Sequence, residues 1–219
     1  SKSSLFPYID NYKYGEYFLT HYQLVLKDTF SWTLPNYQWV NHSWAYDPLL
    51  YLGFKYLGFK GLSIVGGLIS LAVFYIITKP FKPHFWQKAI LGFFFTYLTY
   101  GVTWQGPRSQ VVALIFLGLL MYFLINLKRK WVLFVLPILF LIWANFHASF
   151  TLGLVIFAVF AICNFILSGN KKNVLPLIAL FFVSIPATLI NPFGIGVYTE
   201  ALRHFNNPLF KYVNEWTPI

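Results

Sequence analysis

Charge is scarce in this sequence of 219 residues, and acid scarcer still. Lys, Arg, Asp and Glu make up 10% of it, and the acids number six: Asp10, Glu16, Asp28, Asp47, Glu200 and Glu215. Soluble domains carry about 25% charged residues, so the ordinary globular class is excluded. A single cysteine, Cys163, rules out an internal disulfide and leaves the redox compartment unreadable. Inside its apolar run that cysteine reads as a small buried filler. No Gly-rich loop ending in Lys-Ser/Thr is present, which argues against a machine driven by nucleotide hydrolysis. The histidines are scattered without a ligand spacing such as His-Glu-x-x-His, so zinc has little support. No basic stretch leading into an apolar one opens the sequence, so no signal peptide is read there. Both ends read as cut from something longer.

What is abundant is apolar: 58% hydrophobic residues and 22% aromatic ones. A bilayer core needs about 20 apolar residues per helix. Six stretches approach or meet that length, at 62–78, 89–103, 111–127, 131–146, 150–167 and 174–190. The second, short and rich in Thr, Tyr and Gly, is the weakest. The expected fold class is therefore an all-α integral membrane protein with about six transmembrane helices. Three connecting loops carry Lys79, Lys82 and Lys88, then Lys128, Arg129 and Lys130, then Lys171 and Lys172, with no acid among them. The alternate loops carry Arg108 alone and the uncharged run His147-Ala148-Ser149. The positive-inside rule puts the basic loops in the cytoplasm. All six acids then fall outside, an agreement that did not enter the assignment. The basic residues sit in separate short loops rather than in one patch, so no nucleic-acid partner is expected.

Residues 1–61 precede the first span and are too polar to cross lipid. They read as an extracytoplasmic segment with two interfacial amphipathic helices, at 8–27 and 39–60, rich in Tyr and Trp. Within it the pentapeptide Tyr-Leu-Gly-Phe-Lys occurs twice, at 51–60; a period of five suits neither helix nor strand and reads as a duplication. Residues 62–190 form the transmembrane bundle, and residues 191–219 open a second outside segment at Asn191-Pro192-Phe193-Gly194.

The outside ends of the spans hold the polar residues that lipid would not tolerate. Arg108 stands at the mouth of the third span, Asn145 and His147 close the fourth, and Asn191 closes the sixth. By topology these share one depth, beneath the segment that carries Asp10, His42 and Asp47. Ionisable groups near membrane depth point to function by default. A guanidinium grips a phosphate bidentately, and Asp10 could take a proton from an acceptor hydroxyl. Each has a plainer reading: a solvated loop acid for Asp10, a headgroup contact for Arg108, and interhelical packing bonds for Asn145 and His147. His84 and His204 have no partner that can be named. Asn41-His42-Ser43 also matches a glycosylation sequon.

Several short stretches occur in an order that resembles a known group. They are Asp10 with Gly15-Glu16-Tyr17-Phe18-Leu19, Asp28-Thr29-Phe30-Ser31-Trp32-Thr33, and Trp39-Val40-Asn41-His42-Ser43-Trp44. Gly106-Pro107-Arg108-Ser109-Gln110, Trp143-Ala144-Asn145-Phe146-His147, Asn191-Pro192-Phe193-Gly194 and Glu215-Trp216 come after them. The layout is similar to the membrane-embedded glycosyltransferases of the C superfold, and more closely to uncharacterised bacterial polytopic proteins related to them. The resemblance implies transfer of a sugar, hexosyl or pentosyl, from a polyprenyl-phosphate donor to an acceptor at the non-cytoplasmic face of the bacterial inner membrane. It makes Asp10 the catalytic base or metal-site candidate, and Arg108, His42, Asn145, His147, Asn191 and Glu215 the substrate- and phosphate-binding set. It implies membrane lipid and the polyprenyl-phosphate sugar as partners, that sugar being a co-substrate rather than a resident cofactor. It also implies a missing first span and a missing C-terminal half. Two departures stand out: no His soon follows Asp10, and Ala148 replaces the family's Gly. No second acid adjoins Asp10, which leaves the use of a divalent metal open. The competing functions are a lipid or small-solute transporter or flippase, which would show paired broken helices in two repeated halves, and a non-catalytic membrane scaffold.

Overall fold

The computed structural model describes residues 9–27, 40–103, 109–127, 131–167 and 174–206. These form eight helices and no β-strand: α1 (Ile9–His21), α2 (Tyr46–Thr78), α3 (Phe85–Thr103), α4 (Ser109–Ile125), α5 (Val132–Phe146), α6 (Phe150–Leu167), α7 (Leu175–Thr188) and α8 (Gly196–Asn206). Each of the six apolar stretches coincides with one helix from α2 to α7. Two stretches, Tyr46–Phe81 and Phe150–Leu167, are long and apolar enough to cross a membrane. Ser109–Ile125, Val132–Phe146 and Leu175–Thr188 are shorter apolar helices.

The interior is built where α4, α5, α6 and α7 meet. An aromatic column runs through it: Phe116 stacks on Trp143 at 5.6 Å, Trp143 on Phe140 at 5.9 Å, and Phe140 on Phe157 at 6.0 Å. Offset ring pairs of this kind add about 0.5–1.5 kcal/mol each beyond the burial of their area. Leu120, Leu136 and Val132 fill the column's flanks without exposure. The outward faces are equally apolar. Val155, Val159, Ile162 and Ile166 line one exposed stripe of α6 at helical spacing, and Phe85, Trp86, Phe93 and Tyr97 stand exposed along α3. Cys163, expected as a buried filler, lies exposed on α6 instead, because its position falls beside that outer stripe rather than on the face turned to Phe140.

The helices are arranged so that polar chain segments gather at one end. The backbone N–H of Ala45 donates to Asn145 O (3.2 Å), and Asn145 Nδ2 donates to Ile190 O (2.9 Å). The start of α2, the end of α5 and the end of α7 therefore meet. Lys79, Lys82 and Lys88 follow the far end of α2. The other two basic loops, Lys128–Lys130 by sequence and Lys171 with Lys172, lie outside the described residues.

The two amphipathic segments are shorter than their composition suggests, for local reasons. α1 stops at His21 because Tyr22 takes a left-handed conformation (φ 53°) and its N–H closes back on Phe18 O at 2.8 Å. The second helix begins at Tyr46, not at 39, because Asn41 Oδ1 accepts the Ser43 N–H (2.9 Å) in a side-chain turn. Ser43 O then accepts from Tyr46 N and Asp47 N, and the helix starts there. It runs into the first long apolar stretch through a kink at Gly58 (φ 61°, ψ −175°). Only glycine occupies that region readily.

The repeated pentapeptide thus has two conformations. Gly53 is helical, and a Cβ there would meet only the flexible tip of Leu62, Cδ2 at 2.7 Å. Gly58 has nothing within 4 Å, so its backbone angle alone excludes other residues. Gly53→Ala is expected to change stability by less than about 0.5 kcal/mol, the helical gain offsetting a small shift of Leu62. Gly58→Ala should cost about 1–3 kcal/mol. Equilibrium unfolding of both variants in detergent checks the contrast.

Candidate functional site

The polar end of the bundle is organised around a carboxyl and a carboxamide. Asp47, in the first turn of α2 and before the Gly58 kink, is 1% exposed. Asn11 Nδ2 of α1 donates to its Oδ1 at 2.6 Å, and Asn41 Nδ2 donates to its Oδ2 at 2.6 Å. α1 is pressed against this point: a Cβ on Gly15 would lie 2.2 Å from Asp47 O, so only glycine permits the approach. No cation pairs with Asp47 among the described residues. Burial pushes its carboxyl up from the ordinary 3.8 to about 7, against the smaller opposing pull of the Asn41 and Asn11 amides. A small cleft of about 10 Å³ reaches it, lined by Tyr14, Phe18, Asn41, Trp44 and Phe193 among others.

Asn145 sits at the end of α5, buried, and all its amide hydrogens are used. Trp44 Nε1 donates to Asn145 Oδ1 (2.8 Å) across 101 residues, while Asn145 Nδ2 donates to Leu141 O (2.8 Å) and Ile190 O (2.9 Å). Two N–H groups are all that a carboxamide has to give. Asn145, expected to bind substrate, therefore holds three chain segments together instead of presenting a donor outward.

His147 caps α5, its N–H bonded to Trp143 O at 2.9 Å. Its Nδ1 accepts the Ser149 N–H at 3.0 Å, which leaves Nε2 as the ring nitrogen carrying the proton. Burial, and secondarily the nearby His42, lower its pKa from 6.5 to about 4, so the ring is neutral at physiological pH. His42 is close enough to be felt electrostatically, and both of its ring nitrogens are buried. Asn191 closes the turn after α7: its Oδ1 accepts Phe193 N–H (2.8 Å) and its Nδ2 donates to Thr188 O (2.7 Å) and Gly194 O (3.4 Å). Its amide is committed to the Asn-Pro-Phe-Gly turn.

Of the residues singled out from sequence, His42, Asn145, His147 and Asn191 stand at this one end, together with Asp47. Asp10 lies in the first turn of α1, next to Asn11, but its side chain is outside the described residues, as are Arg108 and Glu215. The residues that pattern reading missed are Asn11 and Asn41, which hold Asp47, and Trp44, which holds Asn145. Asn41 was legible as a sequon and, with Trp44, as part of the stretch at 39–44, with no role in holding Asp47 or Asn145; its amide nitrogen is committed to Asp47. Among the described residues no group of three His, Cys, Asp or Glu could hold a metal ion. Comparison with family models, with curated proteins and with solved structures returned no match.

Two outcomes are expected from the geometry. Asn145→Ala strands the buried Trp44 indole N–H and the Ile190 carbonyl, and should cost about 2–4 kcal/mol in equilibrium unfolding. Asp47 binds its proton more tightly folded than unfolded, so its contribution to stability is present below about pH 4 and is lost as pH rises towards about 7. The stability of the wild-type protein relative to Asp47→Asn should therefore fall across that window. Parallel unfolding titrations of the two proteins at several pH values measure it.

Proposed function

We propose that this chain is an integral membrane protein of about six spans that transfers a sugar from a polyprenyl-phosphate donor to an acceptor at the non-cytoplasmic face. The observation that carries the reading is the concentration of Asp47, His42, His147, Asn145 and Asn191 at one end of a bundle whose α3 and α6 expose apolar stripes. Ionisable groups near membrane depth point by default to function. The exposed stripes of α3 and α6 suit lipid, and α1 with the first turns of α2, rich in Tyr, suits the membrane interface. Lys79, Lys82 and Lys88, which follow the far end of α2, support a cytoplasmic assignment of that end by the positive-inside rule, with the acids outside.

In this reading residues 1–61 and 191–219 face the extracytoplasmic side of a bacterial inner membrane. An acid of the first outside segment activates the acceptor hydroxyl, a role the resemblance assigns to Asp10. Arg108 grips the donor phosphate bidentately, and Glu215 and the neutral Nε2–H of His147 bind the substrate's oxygens and hydroxyls. Asn145 and Asn191 position the loops that carry these groups.

The test is reconstitution of the protein in liposomes with polyprenyl-phosphate hexoses and pentoses, scoring transfer to a lipid or sugar alcohol. Asp10→Asn and Arg108→Ala should each lower turnover by about 10²-fold or more without changing the yield of inserted protein. Unchanged turnover in both would end the transferase reading.

A further inference from the structure

The turn between α2 and α3 holds a lysine where backbone preference favours glycine. Lys82 ends the short 3₁₀ turn Lys79–Phe81 in a left-handed conformation (φ 45°, ψ 50°). Caps of this kind normally take glycine, because a Cβ is unfavourable there. Pro83 follows, and a residue before proline is driven further towards extended backbone. A side chain retained against both preferences points to a use for that side chain.

Its neighbours carry one sign of charge. Lys82 N–H closes on Lys79 O at 3.4 Å, which sets the two residues about 6 Å apart by the rise of so tight a turn. Beyond Pro83, His84 N–H donates to Gln87 Oε1 (2.9 Å) and Lys88 N–H to His84 O (2.9 Å), so Lys88 follows one helical turn on. Lys79, Lys82 and Lys88 are all exposed, and no acid occurs in the sequence between Asp47 and Glu200. Both of those carboxyls belong to the other end of the bundle, Asp47 beside Asn41 and Glu200 in α8. Lys79 Nζ lies 5.5 Å from the centre of the Tyr75 ring, which holds its stem along α2. Phe81, Phe85 and Trp86 alternate with the lysines along the chain and are 68%, 74% and 76% exposed. Rings of this kind settle at the depth of lipid headgroups, so ammonium groups and aromatic faces share one level.

We propose that this turn binds the headgroup of an anionic phospholipid in the leaflet opposite the polar end, its phosphodiester met by Lys79, Lys82 and Lys88. An ammonium suits a phosphate as a compact point charge. With no acid in the neighbouring sequence, the lipid supplies the counter-charge. The Trp86 indole N–H, at the same level, donates to an ester or phosphate oxygen. Keeping positive charge on one side of a bilayer requires neither a fixed turn nor a lysine in a left-handed cap; a headgroup site makes use of both. The proposal rests on the membrane-spanning part of the reading above and not on sugar transfer, whose donor lipid is met at the other end.

Native mass spectrometry of the full chain in an uncharged detergent, with phosphatidylglycerol or phosphatidylcholine added, counts the lipids bound. Phosphatidylglycerol should bind about 10²-fold more tightly, at about fivefold for each of the three lysines, and the preference should shrink as ammonium acetate is raised. Lys82→Gly separates binding from folding. It removes the ammonium and relieves the left-handed backbone, so phosphatidylglycerol affinity should fall about fivefold while the thermal midpoint in detergent alone is unchanged or raised. Lys79→Gln, Lys82→Gly and Lys88→Gln together should abolish the preference. Lys55→Gln with Lys60→Gln, near the other end of α2, should leave it unchanged. Equal affinity for the two lipids in the wild-type protein overturns the proposal. So does a preference that survives the triple substitution, or a loss that Lys171→Gln with Lys172→Gln reproduces in full. None of these measurements reads sugar transfer: a protein that binds the lipid at this turn yet transfers nothing overturns only the transferase reading. A protein that fails to insert into liposomes overturns the membrane reading on which both rest.

Discussion

Three segments that are distant in sequence meet on one carboxamide. Asn145 receives the Trp44 indole on its oxygen and donates both amide hydrogens to carbonyls, one in its own helix and one at the end of α7. In an apolar setting each of these groups would be costly to bury alone, so the arrangement holds only as a set. The turn at 41–44 is thereby fixed over the mouth of the bundle. That fixes Asn41, and Asn41 in turn fixes Asp47. α1 joins through Asn11 and through the close approach at Gly15. The polar end is consequently one hydrogen-bonded body, although its parts come from five places in the chain.

The rest of the bundle obeys a different rule. Its interior is a column of rings and branched aliphatics, and its outside is almost as apolar as its inside. In water, exposed stripes such as those on α3 and α6 would drive association; in a bilayer they are ordinary surface. In a bilayer, helix packing would depend on shape rather than on the hydrophobic effect, since lipid tails are as apolar as leucine. The stacked rings of Phe116, Trp143, Phe140 and Phe157 supply that shape. They leave specificity to the polar end, where hydrogen bonds have fixed directions.

The helices were legible in the sequence because hydropathy over about 20 residues is a strong signal. Their ends were less so. α1 stops at His21 and α2 starts at Tyr46 through side-chain and left-handed turns that composition does not report. The gathering of His42, Asn145, His147 and Asn191 at one end was also legible, because alternating helices carry alternate loops to the same side. The partnership of Asn11, Asp47 and Asn41 was not, since it joins residues 36 positions apart that no periodicity relates. Identical pentapeptides gave no sign that Gly58 rather than Gly53 would break the helix. The two copies differ in their packing, because Leu62 folds back onto the first of them and leaves the second open. Cys163 was misplaced because a helix apolar all round does not reveal which face turns inward.

Among the described residues the polar end is held almost wholly by neutral groups: the carboxamides of Asn11, Asn41, Asn145 and Asn191, the Trp44 indole and the His147 imidazole, kept uncharged. At the edge of an apolar bundle this arrangement is favoured, because each neutral donor satisfies an acceptor without bringing a charge that must itself be desolvated. It has a chemical consequence at Asp47. A guanidinium in place of the Asn11 or Asn41 amide would lower the carboxyl's proton affinity and make it an inert anion. With amides alone, desolvation dominates and the carboxyl holds its proton near neutrality. A phosphate arriving close by would raise that affinity further, since a second negative charge penalises the ionised form. The amides that hold the structure together are thus also what leaves this buried carboxyl able to titrate near neutrality.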